Sequence, residues 1–147
     1  MNFNIKAKNL APIILRMGLS LVFLWFGWQQ LANTDAWVGL IPDYALNLSS
    51  VSAETLVRFN GSFEIVFGLC LLFGFFTRIS AFLLALHMVH ITVTVGYNGI
   101  GVRDFGLTVA VISLFLLGEN AFSLDYYLKN KKQAKIDIQG RENADFS

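Results

Sequence analysis

Four apolar runs, separated by polar breaks of a few residues or by one longer loop, constrain this chain more than any other feature of its sequence. A hydrocarbon core of about 30 Å is crossed by roughly 20 apolar residues in a helix. The runs fall at about residues 10–31, 57–76, 79–97 and 104–122, the fourth being the shortest and leaning on interfacial residues after Gly118. A soluble domain of 147 residues could bury one such run, but not four in succession. Composition agrees: 55% of the residues are hydrophobic and only 14% charged, against about 25% charged in ordinary soluble domains. With 14 Phe and only 2 Pro, the chain is not disordered.

Lipid cannot satisfy the backbone of an open sheet, and the alternation of a β-barrel strand is absent, so the runs are read as helices. The short breaks at Thr77-Arg78 and at Gly99–Gly101 demand antiparallel neighbours. The fold class is therefore all-α: an integral membrane four-helix bundle, up-down-up-down. Orientation follows from Lys and Arg near the span ends, which stay cytoplasmic. With both termini inside, Lys6, Lys8, Arg16, Arg78 and the tail cations Lys129, Lys131, Lys132, Lys135 and Arg141 are retained. Only Arg58 and Arg103 then fall outside, beside the acidic Asp35, Asp43 and Glu54. The expected location is the cytoplasmic (inner) membrane, multi-pass, N-in and C-in. A cleaved signal peptide is the rival reading of the N-terminus, but the first run continues through Gln29 and Gln30 without a small-x-small cleavage site.

The domain reading is a four-span membrane domain over residues 1–122 and a basic cytoplasmic tail over 123–147. The loop at about 33–56 carries Trp37, Leu40, Ile41, Tyr44 and Leu46, too apolar for full solvation. It is expected to lie in the interface or to cover the bundle as a lid. The tail combines Phe122, Leu124, Tyr126, Tyr127 and Leu128 with lysines, which suits the inner interface and anionic lipid. Its last residues are expected to lack structure.

Ionisable groups at membrane depth are costly and need a partner or a purpose. At 1.5 Å rise per residue, Glu64 and His90 each lie roughly 10 Å below the outer span ends. Gln29, Gln30, Asn60, Arg103 and Asp104 lie above them, so four spans bring polar groups to the same outer half. Asn60 and Glu64, four apart, share a face, as do His87, His90 and Thr94. Together they define an expected polar pocket beneath the loop. Helix–helix adhesion is its simplest reading, with Glu64 bonded to Arg103 or to a His. A proton-handling or quinone site is the second, with His90, Glu64, Phe63, Phe67 and Tyr97 supplying donor, acceptor and walls. Metal ligation by His87, His90 and Glu64 ranks below it, and two His on one helix face cannot serve both axial positions of one haem. Arg16 is expected to snorkel to the headgroups. Gly18, Gly27, Gly61, Gly68 and Gly74 are expected to permit close helix approach. Cys70 has no second thiol to exchange with.

Several segments in fixed order resemble the DoxX/DoxD-like small membrane proteins. They are the run from Arg16 to Gly27 followed by Gln30-Leu31, then Asn60-Gly61-x-x-Glu64-x-x-x-Gly68, Phe76-Thr77-Arg78 and Arg103-Asp104-Phe105-Gly106-Leu107. The resemblance covers about residues 12–120 and implies a four-helix membrane fold. It marks Arg16, Gly27, Glu64, Arg78, Arg103 and Asp104 as family-pattern positions. Many members have Lys-Leu where this chain has Gln30-Leu31. One branch of the family forms the membrane part of a thiosulfate:quinone oxidoreductase, and other members are linked to oxidative-stress complexes. The resemblance thus implies a redox-associated membrane subunit handling quinone or its protons, with quinone as the cofactor to expect ahead of haem or metal. The expected partners are the bilayer and either a redox subunit or further copies of the chain, with no nucleic acid. A non-enzymatic assembly or scaffold subunit is the alternative, and small-solute transport ranks third.

Overall fold

In hydrocarbon each span must close its own backbone hydrogen bonds, and the computed structural model, which describes residues 2–48, 51–118 and 123–145, does so with helices throughout. The elements in chain order are α1 (Asn2–Ala32), the short α2 (Asp35–Val38) and α3 (Asp43–Leu48), then α4 (Ala53–Phe73), α5 (Thr77–Val95), α6 (Gly99–Leu117) and α7 (Leu124–Asp145). Four of them are long and apolar enough to cross a bilayer: Leu10–Ala32 within α1, and α4, α5 and α6. The chain is an all-α membrane protein with a four-helix bundle. Side-chain contacts fix the directions. Gln30, late in α1, meets Asn60, early in α4. Glu64 of α4 meets His87 of α5, and Thr92, late in α5, meets Thr108 in α6. Each helix is therefore antiparallel to the next, and the bundle has a loop end, under α2 and α3, and a tail end, beside α7.

Four boundaries differ from the hydropathy reading because of a cap. α4 starts at Ala53 rather than near 57, since the Ser52 hydroxyl accepts the Thr55 N–H at 3.3 Å. This first turn is polar, so it does not register as part of an apolar run. α6 starts at Gly99, five residues before the expected Asp104, because Asn98 Oδ1 accepts the N–H groups of Ile100 and Gly101 at 2.9 and 3.0 Å. The connection from α5 is thus residues 96–98, not Gly99–Gly101. Spans two and three end at Phe73 and Val95, at Gly74 (φ 67°) and Gly96 (φ 73°). The residues into which the fourth run was extended, 119–122, lie outside the described residues.

Burial concentrates along the bundle axis, where Leu19, Phe23, Leu71, Ala81, Leu84, Ala85, Met88, Val111 and Leu114 form the core. Lipid-facing positions keep large apolar side chains such as Ile14, Trp25, Trp28, Phe59 and Val93, as expected where hydrocarbon replaces water. The tightest helix approach is between α1 and α4. A Cβ on Gly27 would stand 2.6 Å from the Gly61 carbonyl oxygen, and one on Gly61 would stand 2.8 Å from the Gly27 carbonyl oxygen. Two facing glycines let these backbones touch, the usual way membrane helices gain dispersion contact where no hydrophobic drive exists. Gly18, by contrast, faces open space.

At the tail end, α4 closes with Gly74 in the left-handed region, and Phe75 N–H returns to the Cys70 carbonyl at 2.8 Å. The following turn is held from outside. Asp125, in the first turn of α7, accepts the Phe76 N–H on Oδ1 at 2.9 Å and the Thr77 N–H on Oδ2 at 2.8 Å. Its own N–H donates to the Gly74 carbonyl. A side chain 48 residues downstream thus caps α5. Arg16 does not snorkel as expected: it is 3% exposed, beside Gly74 and in Coulombic reach of Asp125. With no side chain, Gly74 leaves room for that guanidinium. The tail is helical to Asp145 where structure had not been expected, and most of its described side chains are exposed.

Asp125→Ala removes the side-chain cap that the described residues give α5. We expect a loss of about 1 kcal/mol, within the usual range for a lost cap, read as a lower midpoint of thermal unfolding in detergent. Asp125→Asn, which keeps one acceptor, should recover part of it.

Candidate functional site

Near the loop end, α1, α4 and α5 each send one polar side chain to a single carboxylate. Glu64 is 3% exposed. Its Oε2 accepts the Gln30 amide N–H at 2.8 Å, and Oε1 accepts the Asn60 amide at 3.4 Å and lies 3.3 Å from His87 Nε2. Asn60 also donates to Gln30 Oε1 at 2.6 Å, closing a ring of three side chains. The i, i+4 spacing of Asn60 and Glu64 makes this possible, and Gly61 between them lets α1 come near enough for Gln30 to reach. Without partners a carboxylate at this depth would cost several kcal/mol.

A second acidic group is buried on α6. Asp104 is 4% exposed, and its Oδ1 accepts both Nε–H and Nη2–H of Arg103 at 2.8 Å. The Arg103 guanidinium lies 4.8 Å over the Phe26 ring, so it is held between a carboxylate and an aromatic face. Below this pair, Thr108 donates to the Asp104 carbonyl and its hydroxyl pairs with Thr92 at 2.9 Å.

Between the two acids is a cavity of about 150 Å³. Gln30, Asn60, Glu64, His90, Thr94, Arg103 and Asp104 form its polar surface, and Phe23, Phe26, Val57, Met88 and Leu107 its apolar walls. Its roof is the loop segment that the sequence suggested as a lid: Trp37, Leu40, Ile41 and Pro42 line it from above. Two contacts fasten this roof. Trp37 packs edge-to-face on Phe26 at 6.0 Å, and the Tyr44 hydroxyl, on α3, lies 2.5 Å from His90 Nε2 and 3.0 Å from the Thr94 hydroxyl.

The structure brings together Gln30, Asn60, Glu64, His90, Arg103 and Asp104 around the cavity as expected, but separates other expected members. Gln29 turns away and accepts from Asn33 at 3.1 Å. One residue along a helix is a rotation of about 100°, so Gln29 and Gln30 cannot share a face. Glu64 takes a His, not Arg103, as its partner. That His is His87, while exposed His90 serves the roof with Thr94. Phe63 and Phe67 stack beside His87 rather than lining the cavity, and Tyr97 is fully exposed in the turn after α5. Among the described residues, no three of His, Cys, Asp and Glu gather at a distance that would hold a metal ion. Sequence reasoning did not find Tyr44 as a polar anchor, nor Phe23, Phe26 and Trp37 as walls.

Residues 11–97, which include α1 from its third turn onward through α5, match the DoxX family. The chain belongs to the DoxX family. In this DoxX protein the matched stretch carries Arg16, Gly27, Gln30, Asn60, Glu64 and Arg78, whereas Arg103 and Asp104 lie beyond it. No curated protein and no solved structure matches the chain.

If Tyr44 fastens the roof, Tyr44→Phe should loosen it without disturbing the bundle. We expect amide hydrogen exchange across residues 43–48 to rise several-fold, while the melting temperature stays within a few degrees. Unchanged exchange would mean that apolar contacts alone hold α3.

Proposed function

We propose that this DoxX protein is a redox-associated membrane subunit whose loop-end cavity receives the ring of a quinone-type molecule and exchanges its protons. One observation carries the reading: two buried carboxylates line one apolar, aromatic-walled cavity at the end of a membrane bundle. A structural polar cluster needs no adjoining cavity, and a lipid-filled crevice needs no carboxylates. Ligand sites of this kind are mostly apolar with a few convergent polar groups. Phe23, Phe26 and Leu107 offer faces for a flat ring. Glu64 is the residue we assign to proton exchange, with His87, 14% exposed and 3.3 Å away, as its link outward. An acid and a His within hydrogen-bond reach of each other suit general acid–base work.

The membrane we infer is the cytoplasmic one, with both termini inside. Arg16, Arg78 and the lysines of α7 belong to the tail end and Arg58 and Arg103 to the loop end, a bias that favours retaining the tail. The cavity then opens toward the extracytoplasmic side. A reporter active only in the cytoplasm, fused after residue 147, should be active, and a cysteine introduced at Tyr97 should react with an impermeant maleimide from outside. The opposite labelling pattern would reverse the orientation. A redox partner subunit, or further copies of the chain, would complete the electron path.

The second reading, an assembly or scaffold subunit, draws on the same Glu64. Its contacts join α1, α4 and α5, which is what a packing residue does. Glu64→Gln separates the two, because it keeps the shape and removes the proton site. The redox reading expects quinone-analogue binding or quinone-coupled electron flow in membranes to fall at least tenfold, with thermal stability changed by less than about 1 kcal/mol. The scaffold reading expects the opposite: lower stability or lost assembly with any electron flow untouched. Small-solute transport ranks third, since four spans enclose a path only if the bundle opens or oligomerises.

A further inference from the structure

The polar surface of the cavity has acceptors to spare. Asp104 uses Oδ1 for both Arg103 bonds, and its Oδ2 accepts from none of the described residues, although the residue is 4% exposed and lines the cavity. Asn60 donates to Gln30 and to Glu64, and among the described residues its Oδ1 has no donor. Glu64 adds a carboxylate with four lone-pair sites and three partners. The donors on the same surface are largely committed. The Gln30 and Asn60 amides point at Glu64 and at each other, and Arg103 gives two N–H groups to Asp104. Arg103 is also half exposed, with its side chain at 47%, so its remaining N–H groups can stay hydrated. A ligand that enters this cavity displaces water from buried acceptors, and an acceptor left without a donor is penalised.

We infer that the cavity selects a ligand whose head is a hydrogen-bond donor: a hydroxylated ring, phenol or quinol, rather than the same ring bearing only carbonyls. This rests on the reading of the cavity as a site for a quinone-type ring, and it names the form that is held. The hydroxyls would donate to Asp104 Oδ2 and to Asn60 Oδ1, on α6 and α4, with the ring against Phe23 and Phe26. A dicarbonyl ring would face the same oxygens with its own lone pairs. Of the lining residues, His90 and Thr94 are paired with the Tyr44 hydroxyl, which leaves Arg103, at the half-exposed side, and the Trp37 indole to donate to it. The preference concerns binding alone and involves no electron transfer.

The test uses the purified full-length protein in detergent, kept anaerobic. Tetramethylhydroquinone, tetramethylbenzoquinone and the dimethyl ether of the hydroquinone share one substituted ring and differ in their donors. Equilibrium binding of the three should rank the hydroquinone at least tenfold tighter than the quinone, with the dimethyl ether as weak as the quinone or weaker. In Asp104→Asn the preference should shrink several-fold. Asn60→Asp, which adds an acceptor on the same face, should keep or widen it. Equal binding of hydroquinone and quinone, or tighter quinone, overturns the donor selectivity while leaving a quinone-type site standing. Binding of none of the three overturns that site and the selectivity together.

Discussion

A carboxylate is tolerable inside a bilayer only where other parts of the same molecule supply what water would have supplied. Glu64 meets that condition through Gln30 of α1, Asn60 of its own helix and His87 of α5. The dependence runs in both directions. Gln30 reaches Glu64 only because α1 lies against α4 at the Gly27–Gly61 contact, where backbone meets backbone. A bulkier pair there would move Gln30 outward and leave the acid short of a donor. One polar cluster and one steric gap therefore set the spacing of the helices that wall the cavity.

The two ends of the bundle solve the problem of exposed helix termini differently. At the loop end, local residues do the capping, Ser52 for α4 and Asn98 for α6, and the loop residues are free to roof the cavity. At the tail end, α5 begins after a residue in the left-handed region, Phe76 at φ 47°, with no side-chain cap of its own. Asp125 supplies the missing acceptors from α7, and Arg16 is buried beside the same turn. Ligand-facing and scaffold-facing polar residues are thus kept toward opposite ends of the bundle.

Much of this was legible in the sequence, for physical reasons that also explain the rest. Four apolar runs announce four helices because lipid admits few alternatives, and Asn60 with Glu64 announces a shared face because four residues nearly complete a turn. The choice between Gln29 and Gln30 was not legible: a helix apolar on nearly all sides carries no pattern that says which side is inward. Tyr44 pairs with His90 across 46 residues, and the loop that delivers it has no periodicity to read. Arg16 looked like a snorkelling cation because its depth is shallow. That it turns inward depends on Gly74 and on the start of α7, neither of which is near it in the chain. Capping residues moved four boundaries that hydropathy had drawn from the apolar runs alone.

The Asp125 cap also bears on how the protein is made. A chain leaves the ribosome from its N-terminus at about 5–20 residues per second, so the α4–α5 turn reaches the membrane well before its cap exists. For the synthesis of the next 48 residues, the Phe76 and Thr77 N–H groups have only interfacial water to bond. All of α6 must be inserted before the acid arrives. The bundle is therefore fastened last at the point where α5 starts, and a nascent chain stalled after the fourth span would hold every transmembrane helix yet leave this hairpin open at its tip.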